Sequence, residues 1–197
     1  MKDIVSKDII KAIAFGIILM AFFSLFWLGT AGSNLDGILM WALFIVADFI
    51  GLLFIGYGIH LLFVSKKFPK TQEGDKTIKQ KIVKKFGLTF GVEGLLIAVC
   101  AILLTLSSHQ EFIIPLTAIF VGLHFFPMAS IFRRRLDYYT ASFATIIGLT
   151  GLILTITKNI SVSKINIFVG IGIGFVTAFY GFFMIRLAQK YKAALII

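Results

Sequence analysis

The sequence predicts an all-α, polytopic membrane protein: a bundle of six transmembrane helices with both termini in the cytoplasm. The chain of 197 residues is 59% hydrophobic and 14% charged, whereas soluble domains are nearer half apolar and about a quarter charged. Its apolar residues form continuous stretches of about 20 residues, the length of helix that crosses a bilayer. These stretches lack the period-two alternation of barrel strands, so helices are predicted.

Six apolar stretches are predicted to span the membrane as a single domain that covers residues 1–197. Their approximate limits are 10–29, 37–64, 86–106, 112–132, 138–157 and 165–187. A basic loop over residues 65–85 joins the second stretch to the third. We expect no separate soluble domain, because this loop is the only sizeable segment outside the predicted spans.

The distribution of Lys and Arg predicts the orientation of the bundle. Of 19 such residues, 17 lie in the N-terminal segment, the loop 65–85, the turn after the fourth span and the C-terminal tail. Alternating spans place these four segments on one side, and the other side has only Lys158 and Lys164. Positively charged loops stay in the cytoplasm, so both termini of this multi-pass cell-membrane protein are expected there. The net charge of +10 then reflects topology, and no nucleic-acid partner is expected.

The lipid bilayer is the expected partner, and anionic head groups are candidate ligands of the basic residues. Each Lys or Arg near an anionic surface contributes about 1 kcal/mol, although such residues also act as topology determinants alone. Trp27 and Trp41 are predicted to anchor the opposite interface. The residues expected to serve as lipid-facing basic anchors are Lys79, Lys81, Lys84, Lys85, Arg133, Arg134 and Arg135.

Small residues recur four apart in the predicted sixth span, at Gly170, Gly174 and Ala178. This spacing puts them on one helix face and lets another backbone approach closely. We expect that face either to pack inside the bundle or to form a homodimer. The alternation of spans also permits two three-helix halves of inverted topology, as in many transporters.

Three ionisable residues on three different spans are predicted to share one layer of the membrane. From the helical rise, Asp48, Glu93 and His124 lie about 14, 10 and 12 Å from the inner boundary. Charged side chains are rare in hydrocarbon and are usually functional there. The three could bind a proton, a cation or a small polar solute. The alternative is a buried pair of His124 and one carboxylate that only holds helices together.

Three further residues are candidates for the same site. Thr117 lies seven residues before His124 on one helix face, and Pro127 follows three residues after it. Proline removes a backbone hydrogen bond and kinks a helix, which frees a carbonyl at that depth. His60 lies closer to the inner end of the second span and is the third candidate.

A short motif in the fourth span carries a family resemblance. The string from Gly122 through His124 to Pro127 reads G-L-H-F-F-P. It resembles the G-x-H-x-x-P pattern of an uncharacterised family of small bacterial multi-spanning membrane proteins, a domain of unknown function. The resemblance covers about one helix, and it implies a membrane protein of this size without implying an activity.

Motifs of familiar enzymes are not found in the sequence. A single cysteine, Cys100, excludes a CxxC redox site, and neither HExxH nor GxSxG occurs. No cofactor is expected, and a metal is left open. Three hypotheses remain: a transporter or channel-like protein that uses the Asp/Glu/His layer, a membrane enzyme that acts on a lipidic substrate, and a non-catalytic partner subunit.

Overall fold

The computed structural model describes residues 6–69 and 73–193, with the side chains of 6–69 and 80–193. Over these ranges the chain forms six long helices and no strand, and each helix is long and apolar enough to cross a membrane. The predicted all-α membrane bundle is therefore confirmed. The helices are α1 Lys7–Gly32, α2 Gly37–Val64, α3 Glu73–Leu106, α4 Ile113–Phe132, α5 Arg135–Thr157 and α6 Val162–Ala193.

Four helices begin earlier than the hydropathy of the sequence predicts, and one of them is α1, which begins at Lys7 rather than near residue 10. The prediction of a loop over residues 65–85 is wrong for most of that range, because α3 begins at Glu73. Lysines in the first turns of α3 lower the hydropathy without opposing helix formation, since Lys has a good helix propensity. In the same way α5 begins at Arg135 and α6 at Val162, each three residues before the predicted span.

The six helices pack as two tight hairpins that α6 joins. In one hairpin α1 packs along α2, and in the other α4 packs along α5. Helix α6 packs mainly on α1 and also on α5, whereas α3 packs mainly on α4. In both halves the first helix thus packs on the second, and the third helix packs on the first helix of the other half. This agrees with inverted halves, except that α3 makes no contact with α2 comparable to that of α6 with α5.

One end of the bundle carries most of the basic residues, and we call it the basic end. It contains the start of α1, and the backbone N–H of Lys7 donates to the carbonyl of Pro69 at 2.8 Å. Helix α4 ends there at Arg133, whose φ of 52° is the left-handed conformation that often terminates helices. This turn brings α5 back after two residues.

Small residues on α6 pack against α1 inside the chain. A Cβ on Gly170 would lie 2.6 Å from the carbonyl oxygen of Trp27, and one on Gly174 would lie 2.5 Å from Leu28. Ala178 on the same face is buried. This face was expected either to pack inside the bundle or to form a homodimer, and the structure shows that it packs inside the bundle. The expectation of a homodimer through Gly170, Gly174 and Ala178 is corrected to packing within the chain, because α1 already occupies the space beside this face.

The two tryptophans have different surroundings. Trp41 is 63% exposed at the start of α2, as expected of an interfacial anchor. Trp27 is only 1% exposed and belongs to the buried core. The prediction of Trp27 as an interfacial anchor is wrong, because its position near a helix end did not indicate which way the indole points.

Candidate functional site

Glu93 and His124 lie against each other between α3 and α4. Oε1 of Glu93 is 3.1 Å from Nδ1 of His124, and both side chains are buried. The contact has the distance of an ion pair, although the direction of the imidazole nitrogen falls outside hydrogen-bond geometry. The sequence placed these two residues at similar depth, and the structure brings them together as a pair.

Aromatic rings enclose the imidazole of this pair. The ring of Phe125 is centred 4.3 Å from that of His124, and the ring of Phe90 is centred 5.1 Å from it. Phe90 comes from α3 and Phe125 from α4, the same two helices that carry the pair. Such surroundings exclude water and so strengthen any charge interaction within them.

An apolar crevice, which we call crevice one, opens beside the pair between α1, α3 and α4. Its volume is about 400 Å³, which is large enough for a drug-sized molecule. Glu93 is its acidic group, and Thr117 from α4 adds a hydroxyl. Its wall is otherwise mostly aromatic, with Phe22, Phe23, Phe26, Trp27 and Phe90 among the lining residues.

A second opening, crevice two, lies on the other side of the contact between α3 and α4. It also has a volume of about 400 Å³, and both Glu93 and His124 border it. Pro127 lines its wall inside a helix that continues to Phe132. The structure therefore places Thr117 and Pro127 near the pair but on opposite sides of it.

Asp48 does not belong to this site, so the prediction of one site shared by all three ionisable residues is wrong. Its side chain is exposed on α2, which packs on α1 rather than on the helices of the pair. The buried side of α2 is formed by Ala47, Gly51 and Phe54. The rise per residue predicts the depth of a side chain and not its direction, and the rotation of α2 directs the carboxyl of Asp48 away from the bundle.

His60 is also separate from the pair. It is exposed near the end of α2, where its Nε2 lies 3.5 Å from Nζ of Lys192 on α6. This contact belongs to the basic end. The prediction of His60 as part of the binding site is therefore corrected to a surface position.

A buried polar cluster that the sequence did not reveal connects α5 to α6 near the basic end. Asp137 is fully buried and accepts a 2.8 Å hydrogen bond from the hydroxyl of Tyr180. Nε of Arg134 lies 3.6 Å from the other carboxylate oxygen, and its Nη1 is 3.2 Å from Sδ of Met184. The signal available was the i,i+3 spacing of Arg134 and Asp137, which suits an ion pair at a helix start.

Most of the predicted basic anchors are exposed at the basic end, as lipid contact requires. Arg134 is the exception, because its guanidinium lies over the ring of Phe132 at 4.4 Å and pairs with Asp137. It is corrected from a lipid-facing anchor to an inward-facing one. The side chain of Lys79 lies outside the described residues. The exposed anchors are Lys81, Lys84, Lys85, Arg133 and Arg135.

The pair has too few ligands for a metal centre of its own. Among the residues that the structure describes, no three His, Cys, Asp or Glu side chains group closely enough to hold a metal ion. Glu93 and His124 supply one carboxylate and one imidazole. The chemistry they offer directly is the binding and transfer of a proton, and the electrostatic attraction of a cation.

Comparison with known proteins identifies no relative of the chain. No protein-family model matches the sequence, and no curated protein or solved structure is significantly similar to it. The resemblance at Gly122, His124 and Pro127 therefore stays a prediction, and function must be argued from the site itself.

Proposed function

We propose that the protein is a small transporter-like membrane protein that binds a lipophilic cation in exchange for a proton at the Glu93–His124 pair. The observation that carries this proposal is the position of Glu93, a buried carboxyl that borders two apolar crevices at once. A solute in either crevice would meet the same acidic group. The proposal refines the expected binding of a proton, cation or small polar solute and replaces the three-residue layer by the pair.

The pair can exchange a proton for a cation without a change in net charge. With Glu93 ionised and His124 protonated, the empty site is neutral. A cation that enters beside Glu93 repels the proton on His124, because like charges a few ångströms apart interact strongly where water is excluded. Loss of that proton leaves carboxylate, neutral imidazole and bound cation, which together are again neutral. This avoids the high cost of a net charge in hydrocarbon.

The wall of crevice one favours a solute with a hydrophobic body and a positive charge. Phenylalanine and tryptophan rings bury apolar surface, and their faces attract cations by about 0.5–2 kcal/mol each. Phe22 and Phe26 are at least half exposed on α1, so a molecule dissolved in the bilayer can reach them. We therefore expect the solute to enter from the membrane.

We also propose an orientation of the bundle in the membrane. We place the basic end in the cytoplasm and the protein in the cell membrane, since the Lys and Arg of the sequence are concentrated at that end. Exposed Lys81, Lys84, Arg133 and Arg135 would then face anionic lipid head groups, whose attraction is about 1 kcal/mol per basic residue. Labelling of cysteines introduced at the two ends of the bundle in intact cells tests this orientation.

Binding of tetraphenylphosphonium to the purified protein in lipid nanodiscs tests the proposed site. We expect quenching of tryptophan fluorescence, since Trp27 lines crevice one, and release of about one proton per bound cation in weakly buffered solution. Glu93→Gln should weaken binding about ten-fold or more and abolish proton release, because it removes the charge but keeps the shape.

Two controls separate the site from a general loss of structure. Glu111→Gln changes another acidic residue, in the turn before α4, and should leave binding and proton release unchanged. Glu93→Asp keeps the charge on a shorter side chain and should retain part of the binding. Equal affinity of Glu93→Gln and the unmodified protein, or a lack of binding by the unmodified protein, would overturn the proposal.

The alternative of a structural pair makes a different prediction in the same experiment. If Glu93 and His124 served only to hold α3 on α4, the double variant Glu93→Leu with His124→Phe would stay folded. It could do so because well-packed apolar residues often replace a buried ion pair without loss of stability. Cation binding by that double variant would count for the structural alternative, whereas its absence in a folded protein supports the exchange site.

A further inference from the structure

Helix α2 presents an exposed face with the spacing of a coiled-coil interface. Positions alternately four and three residues apart lie along one side of a helix, as in the seam between paired helices. Apart from half-buried Ile55, the residues at these positions are exposed. We call this face the α2 seam; its residues are Trp41, Ile45, Asp48, Leu52, Ile55 and Ile59.

A carboxyl lies in the middle of this otherwise apolar seam. Asp48 is eleven residues after the start of α2 at Gly37, or about 16 Å along the helix axis, close to the centre of a 30 Å hydrocarbon layer. Within the described part of the chain, no hydrogen bond or ion pair is made by its side chain. A polar group that faces lipid at this depth is unfavourable unless something satisfies it.

We infer that the α2 seam is the interface of a symmetric homodimer in which the two Asp48 carboxyl groups share a proton. Two copies inserted in the same orientation are related by a twofold axis along the membrane normal. Their α2 helices then run parallel, and a residue on the axis meets its own copy at the same depth. Asp48 therefore meets Asp48 of the second copy without any shift of one α2 helix along the other.

The chemistry of the carboxyl group makes a second copy the fitting occupant. A protonated carboxyl donates a hydrogen bond, and an ionised one accepts it, so two aspartates that share one proton satisfy each other. Together they carry a single charge, and each removes the other from lipid. Polar side chains that hydrogen-bond across helices favour their association in membranes.

The other exposed or glycine-rich faces fit this role less well. The glycine face of α6 is filled by α1, as described above. On α3, Gly87 and Gly91 face open space, but the buried acidic residue of that helix, Glu93, already has His124 as its partner. Of the faces compared, within the residues that the structure describes, the α2 seam combines an open apolar face with a carboxyl that has no partner.

Disulfide cross-linking in proteoliposomes tests the geometry of the dimer. In a Cys100→Ser background, single cysteines are placed at Ile45, Leu52 and Val46. Ile45 and Leu52 are 67% and 71% exposed on the seam, and Val46 is 48% exposed about 100° around the helix from Ile45. We expect cross-linked dimer from Ile45→Cys and Leu52→Cys at rates about ten-fold or more above that of Val46→Cys. Equal rates at the three positions would overturn the proposed interface.

Substitution of Asp48 tests the role of the carboxyl group. The dimer fraction can be measured by single-molecule photobleaching at low protein density in the membrane. Asp48→Asn should preserve the dimer, because an amide both donates and accepts a hydrogen bond. Asp48→Leu should raise the dissociation constant about ten-fold or more, as expected for the loss of about 1.4 kcal/mol. The same dimer fraction for Asp48→Leu and the unmodified protein would exclude the shared proton.

These measurements do not depend on the proposed transport function. Glu93→Gln, which should abolish cation exchange, leaves the α2 seam untouched and should dimerise normally. The leucine variant is also expected to fold, because Asp48 is exposed and α2 packs through the side that carries Ala47, Gly51 and Phe54. A monomeric Asp48→Leu variant with unchanged helical circular dichroism would therefore report on association alone.

Discussion

Helices α3 and α6 are the third helices of the two halves, and they differ most in how deeply they are embedded. Half of the apolar stretch of α6 is buried in the bundle, compared with 6% of that of α3. Both helices are long, apolar and rich in glycine. The comparison shows that similar composition leads to different packing, because the neighbouring helices decide whether a small residue is covered.

The glycines of the two helices illustrate this difference directly. A Cβ on Gly170 or Gly174 of α6 would collide with α1, whereas a Cβ on Gly91 or Gly94 of α3 would meet nothing within 4 Å. On α6 the absence of a side chain permits close approach of two backbones. On α3 it leaves space beside Glu93, where Gly94 contributes to the wall of crevice one. Glycine therefore permits close helix packing in α6, whereas in α3 it leaves open space beside Glu93.

The largest expected effect in this comparison is that of a bulky residue on the packed side. Gly170→Leu would force apart the backbones of α6 and α1 and should lower the free energy of unfolding by about 3 kcal/mol. Gly91→Leu on α3 is the matched control and should change it by less than about 0.5 kcal/mol. The measurement is SDS-induced unfolding in mixed micelles, followed by circular dichroism. Similar losses for the two variants would contradict the difference in packing.

The second expected effect concerns the polar link between α5 and α6. Tyr180→Phe removes the hydrogen bond to the buried carboxylate of Asp137 and should cost about 2 kcal/mol, since bonds to charged groups are stronger than neutral ones. Tyr138→Phe, which alters a tyrosine that is 48% exposed, should be nearly neutral in the same unfolding assay. If both substitutions were neutral, the hydrogen bond from Tyr180 to Asp137 would not contribute to the stability of the protein.

The smallest expected effect is at the polar contact between α1 and α6. The hydroxyls of Ser24 and Thr177 lie 3.2 Å apart in the buried interface. Hydrogen bonds between membrane helices average about 0.6 kcal/mol, so Ser24→Ala should lower stability by that amount. Ser107→Ala, beyond the end of α3, provides a control in which only a local hydrogen bond is lost. A loss above 2 kcal/mol for Ser24→Ala would indicate a larger role for this contact.

The sequence predicted the number of helices and part of the site for definite physical reasons. Apolar length sets the spans, and the rise per residue places Glu93 and His124 at matching depths. Asp48 was predicted at a similar depth, but its side chain does not reach the pair. The prediction for Asp48 failed because the rotation of a helix about its axis depends on which side packs against its neighbours. Helix α2 is too uniformly apolar for the sequence to show that side.

The buried cluster at the basic end was missed for a different reason. Three consecutive arginines made the turn after α4 look like a purely cytoplasmic segment, so Arg134 was expected to face lipid and Asp137 was left outside the predicted span. In the structure α5 begins at Arg135, and its first turn carries Asp137 towards α6. Hydropathy cannot distinguish a charged residue that ends a span from one that is buried by a neighbouring helix.

The position of α6 between the two hairpins has a consequence for biosynthesis. A ribosome makes α6 after both hairpins, so α1 enters the membrane before the glycine face that will cover Trp27 and Leu28 exists. In the complete bundle the hairpin of α1 and α2 is closed at its basic end by the contact from Lys7 to Pro69. The packing of α6 on α1 is therefore a late event in synthesis, whereas the contact of α3 with α4 can join the two halves before α6 is made.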